Sequence, residues 1–193
     1  MSAMDKTKST DTASSGLVAG SRSGESAIAL GRFDFECIGA DGKVKWTGSA
    51  PNLVVNVGLA YMAGSSLTSV AAITTWYIGL YGAGASNTPA AADTMSSHAG
   101  WTEVVPYSNA TRVAVTFVTA TTANPSVATN SASPSSFTIN ATSTVGGAFL
   151  TSGSAKSGTA GTLFSASDFT SPGDRAVVSG DVLNVTYTMS LAG

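Results

Sequence analysis

His98 is the single histidine of the chain, and so the one side chain whose ordinary pKa lies near neutrality. It sits in Ser96-Ser97-His98-Ala99-Gly100-Trp101. A Ser–His hydrolase would need His98 against a nucleophilic serine on one side and an orienting Asp93 or Glu103 on the other. The sequence offers no G-x-S-x-G elbow and no S-x-x-K pair, and serine is too abundant for a neighbouring Ser to carry information. The simpler reading is a polar residue in an exposed loop, bonding backbone or touching Trp101.

Metal and cofactor chemistry have as little material. Cys37 is the only cysteine, which rules out an intrachain disulfide and a cysteine-built zinc site. Asp93, Glu103, Asp168, Asp174 and Asp181 are scattered; loop carboxylates can bind calcium, but no calcium-loop motif is present. The Gly-rich stretch 82–87 opens like a dinucleotide loop but lacks the third glycine and the following helix. No catalytic residue, metal or cofactor is expected. Asn-x-Thr triplets at Asn109, Asn140 and Asn184 are chance matches in an Asn- and Thr-rich chain.

The remaining candidates are contact residues. Trp46, Trp76, Trp101, Tyr77, Tyr81 and Tyr107 provide large area with a polar tip, which suits a core, a sugar-stacking face or an interface hot spot. Most belong in a core, Trp76 above all because it lies in an apolar run. Trp101 and Tyr107 flank a long loop and Pro106, and with His98 they are the interface candidates.

These residues must be positioned by strands. Phe33, Phe35 and Cys37 alternate with Arg32, Asp34 and Glu36, the period of a strand with one buried face. Asp41-Gly42 supplies a turn, and Val44 and Trp46 alternate with Lys43, Lys45 and Thr47, completing a β-hairpin. Pro51-Asn52 is expected to break the second strand. Residues 53–67 admit a short helix capped by Asn52 or Asn56 and ending near Gly64.

Residues 74–81 form a buried strand, and residues 82–100 a loop long enough to be mobile or a contact arm. Further strands are expected over 101–105, 112–118, 136–140, 144–150, 176–178 and 182–191, about eight or nine in all. The last is the cleanest, with Leu183, Val185, Tyr187 and Met189 facing one way. Residues 116–136 are low in complexity without a period, and no repeat suggests a β-helix or propeller. The pattern reads as all-β: an antiparallel β-sandwich, jelly-roll-like, with at most one short helix. The division is a flexible amino-terminal arm over 1–29, too poor in large apolar groups to order alone, and a sandwich domain over 30–193.

Composition bears on partners. The chain has 193 residues, is 43% hydrophobic and only 10% charged, against about 25% charged in an average soluble domain. A surface of Ser, Thr, Ala and Gly with net charge −2 has little colloidal repulsion, so association is expected. Nine Lys and Arg without a cluster leave no footprint for direct nucleic-acid binding. No segment has the apolar length of a membrane span or a signal-peptide core, and synthesis in the cytoplasm is expected.

In order, the chain presents the Asp41-Gly42 hairpin, PNLVVNVGLAYMAG, TTWYIGLYGAG, a Pro/Ala loop, MSSHAGWTEVVPYSNATR, SPSSFTINATSTVGGAFL and VVSGDVLNVTYTMSL. This succession, over roughly residues 33–191, resembles tailed-bacteriophage virion structural proteins of the capsid decoration or cement type. The resemblance implies a virion component on the capsid exterior. Its partners would be the major capsid protein or other virion proteins, and it would be a homo-oligomer, dimer or trimer. A head-fibre, collar or tail component with a carbohydrate- or receptor-binding sandwich is the alternative.

Overall fold

The computed structural model describes residues 27–82, 88–169 and 173–193. The expected flexible arm lies outside the described residues up to residue 26, as do residues 83–87 of the expected loop.

The hairpin forms as its alternation dictates. β1 (Ile28–Ile38) pairs antiparallel with β2 (Val44–Val54), and Phe33, Phe35 and Cys37 are buried. Ile28 and Ala29, expected in the arm, belong to this strand. The turn closes through Gly39 N–H to Lys43 O and Gly42 N–H to Gly39 O, both 2.8 Å, with the Asp41 carboxylate accepting from Lys43 N–H at 3.1 Å. Gly42 has φ +76°, a conformation that costs a residue without a β-carbon nothing. On its other side β1 pairs along its whole length with β12 (Val182–Ala192), from Ile28 opposite Ala192 to Ile38 opposite Val182. The inner face of β12 carries Leu183, Val185 and Tyr187 into the core.

Pro51-Asn52 does not break β2, contrary to expectation. The strand continues and changes partner there: Pro51 lies opposite Arg32 of β1, and Asn52 opposite Ser167 of β10 (Leu163–Asp168). Proline cannot donate to a ladder, so it sits where one ladder ends and the next begins. β2 thereby belongs to both layers. The first layer runs from β2 through β1 and β12 to β6 (Ser126–Thr129) and β7 (Ser135–Thr138). The second runs from β2 through β10, β9 (Gly147–Thr151) and β3 (Trp76–Gly82) to β4 (Thr102–Val104) and β5 (Val113–Val115). β8 (Ser143–Val145) and β11 (Arg175–Val177) form a separate ribbon. Every pairing among the described residues is antiparallel, and the fold is the all-β sandwich expected.

Between the layers, Phe33, Phe35, Phe137 and Val185 meet Ile78, Leu80 and Leu150. The second layer is covered on its other face as well. Tyr81, Phe149, Leu163 and Ala166 are sealed there by Met95 and Trp101. Residues 88–100, expected as part of a mobile or contact loop, thus supply, with Trp101, a lid of core in which Pro89, Asp93 and Met95 are buried.

The helix α1 (Asn56–Leu67) follows β2, but neither expected cap serves: Val55 is the N-cap, in extended conformation and without a side-chain cap. Asn52 lies in β2 and donates to the Tyr187 hydroxyl at 2.9 Å, while Asn56 is already helical. The helix ends with the N–H and hydroxyl of Thr68 both on Gly64 O. A β-carbon at Gly58 would stand 2.2 Å from the carbonyl oxygen of Phe164, so only glycine lets α1 lie this close to β10.

Candidate functional site

The segment before β4 is shaped by a tight turn in which Thr94 and Ser97 exchange backbone hydrogen bonds of 2.8 and 3.2 Å. This turn brings Asp93 under Trp101, whose indole N–H donates to Asp93 Oδ2 at 3.0 Å. The Trp101 ring packs 5.3 Å from both Tyr81 and Phe149 and is 3% exposed. His98 stacks on the outside of that indole at 3.9 Å and 23°, with Nδ1 3.0 Å from Trp101 O. A carbonyl can only accept, so Nδ1 is the donor in this bond.

Tyr107 lies elsewhere, 1% exposed and edge-on to Phe137 at 5.0 Å. Lys156 stands over its ring, 3.8 Å from the centroid, and donates to Tyr107 O at 2.7 Å. The expectation that Trp101 and Tyr107 are less buried than Trp76 is therefore reversed: both are core, whereas Trp76 is half-buried. Of the three interface candidates only His98 keeps accessible surface. The structure brings His98 and Trp101 together and leaves Tyr107 apart.

Between them lies a pair that sequence reasoning did not assemble. Arg112 and Glu103 form a two-pronged ion pair, Nε to Oε1 at 2.9 Å and Nη2 to Oε2 at 2.8 Å, with side chains 1% and 6% exposed. Two further guanidinium donors reach Gly153 O and Gly158 O, both at 2.9 Å. Glu103 also accepts from Ser157 N–H at 2.6 Å. Below the guanidinium lies the Phe149 ring, at 5.1 Å. A cavity of about 270 Å³ opens above, walled by His98, Trp101, Glu103, Arg112 and Thr159. Each carboxylate considered for a triad is committed elsewhere: Asp93 to the indole, Glu103 to the guanidinium. Glu103 and Arg112 sit on or beside strands joined through β3, which is how residues nine apart in sequence face each other.

A second polar cluster lies at the far end of the hairpin. Asp181 is buried, and its Oδ2 accepts from Lys45 Nζ at 2.7 Å, Val178 N–H at 2.9 Å and the Cys37 thiol at 3.7 Å. Burial pushes the Asp181 carboxyl up, but the Lys45 ammonium and the two other donors outweigh it and hold the group below its ordinary value. Burial foremost, then the Asp181 charge against the opposing Lys45, raises the Cys37 thiol to about 11. Burial also raises the Tyr81 and Tyr107 hydroxyls. Among the described residues no three His, Cys, Asp or Glu side chains are grouped to hold a metal.

No family model, curated protein or solved structure matches the chain.

Exposed apolar side chains occur at several places, Leu67 the most exposed, and two of them lie together on the outer face of the first layer. Phe33 and Phe35 face inward, so the alternate residues Ile28 and Leu30 face outward, 55% and 60% exposed. Below them on the same face the cross-strand pairs are polar: Asp34 opposite Thr186, Glu36 opposite Asn184 and, on the neighbouring ladder, Thr129 opposite Thr188.

Proposed function

We propose that this chain is a non-enzymatic structural protein of a tailed-bacteriophage particle, acting as a capsid decoration (cement) protein on the outer surface of the major-capsid lattice. The observation that carries the reading is the outer face of the first layer. It is a paired, extended polar surface, with Arg32, Asp34 and Glu36 set among Thr and Asn side chains and Ile28 and Leu30 at one end, on a chain only 10% charged. An apolar anchor beside an extended polar surface suits a protein contact. The succession of sequence segments resembling phage virion proteins supports the same reading. For a carbohydrate-binding role, the rings of Trp101 and Tyr107 are enclosed in the fold and offer no stacking platform.

The test is compositional and positional. Particles purified from the phage that carries the gene should contain the chain in copy numbers comparable to the major capsid protein, with label on the head. The purified chain should also bind shells assembled from that capsid protein. Absence from particles overturns the structural role, and label confined to collar or tail overturns the decoration role.

A further inference from the structure

At one end of the sandwich the core stays open. Tyr61 and Met62 of α1, Trp76 of β3, Phe117 after β5 and Met189 of β12 pack against the main core yet are only half-buried. With Leu191 they converge on an apolar groove of about 290 Å³. Surface of this kind is driven to find apolar cover.

The start of β1 lies beside two of these residues: Ala29 pairs with Leu191, and Gly31 with Met189. Residues 1–26 therefore join the fold at the rim of the groove. That segment is rich in Ser, Thr, Gly and Ala, and Leu17-Val18 is its only adjacent pair of large apolar residues. Residues 19–26 between the pair and the described fold can span roughly 26–29 Å when extended. They include Gly20 and Gly24, at which a chain can reverse without steric penalty. A tether this short holds the pair at an effective concentration on the order of millimolar, above that of a free competitor.

We propose that the groove is the receptor for the chain's own amino-terminal segment, with Leu17 and Val18 seated against Trp76, Met62 and Leu191. The inference is independent of the particle role, since it concerns one chain in solution. The native Cys37 is buried, so engineered cysteine pairs report without interference. In the full chain, V18C with S65C at the groove wall should form an intramolecular disulfide under mild oxidation. The rate should be at least tenfold above T10C/S65C and S23C/S65C, whose first positions bracket Val18. The L17D/V18D chain, with its core untouched, should bind a polarity-sensitive dye several-fold more strongly than wild type. Equal cross-linking rates across the three pairs overturn the proposal, as does unchanged dye binding. Cross-linked product found only as covalent dimers also overturns it, assigning the groove to a second copy.

Discussion

Arg112 is the largest enclosed side chain among the described residues, and it is tolerable there because four of its five guanidinium donors are matched: two bonds to Glu103 and one each to Gly153 and Gly158. Removing one partner of such a pair leaves the other charge buried and alone, so R112A should lose about 3–5 kcal/mol of stability, measured as a lower urea midpoint. Asp181 makes a different prediction. Its folded pKa is depressed, so its contribution is full above the unfolded value near pH 4 and is lost as pH falls through the folded value. The urea midpoints of wild type and D181N should therefore differ most near pH 7 and converge as the pH approaches 2. Cys37, fully enclosed and with its thiol raised to about 11, should react with a disulfide reagent at pH 8 at least about two orders of magnitude more slowly than a free thiol, and at the ordinary rate once unfolded. At this scale the sequence was a partial guide. His98 beside Trp101 could be read from adjacency, but the enclosure of Trp101 and Tyr107 depends on what residues 88–101 and Lys156 cover, and no local pattern encodes that.

Strands with one buried face were legible, because polarity alternates along them: β1 and β12 declared themselves through Phe33, Phe35, Leu183 and Val185. β10 did not. It is buried on both faces, and its interior is Ser165, Ala166 and Ser167, so neither alternation nor a β-branched run marks it. β6 was hidden for a related reason, since Ser126–Thr129 is half-buried throughout and resembles the low-complexity sequence around it. The expected single strand over residues 144–150 is two, β8 and β9, parted at Gly146, whose N–H binds Tyr81 O while its carbonyl accepts from Phe169. Pro51 misled because a proline that ends pairing with one neighbour can begin pairing with another. Where α1 meets β10 the tolerance is small. G58A would force a methyl into the Phe164 carbonyl, and it should cost about 1–3 kcal/mol in thermal or urea unfolding despite alanine's better helix propensity.

For the whole molecule, the two faces of β1 divide its labour. The inner face closes the core, and the outer one presents Ile28 and Leu30 without structural need for them. I28K/L30K should therefore leave unfolding within about 0.5 kcal/mol of wild type. If this face is the capsid contact, sedimentation with capsid shells should fall at least tenfold. Retained binding would move the contact elsewhere on the particle.

Ile28 and Ala192 are cross-strand neighbours, so the first and last strands of the sandwich stop side by side, their backbones only about 5 Å apart. A linker of a few residues could splice Gly193 to Ile28 and close the polypeptide into a ring, which could then be cut afresh at Asp41-Gly42. Such a permuted gene should yield the same sandwich. It would also carry any appended peptide to the opposite pole of the molecule, giving a choice of which end displays cargo.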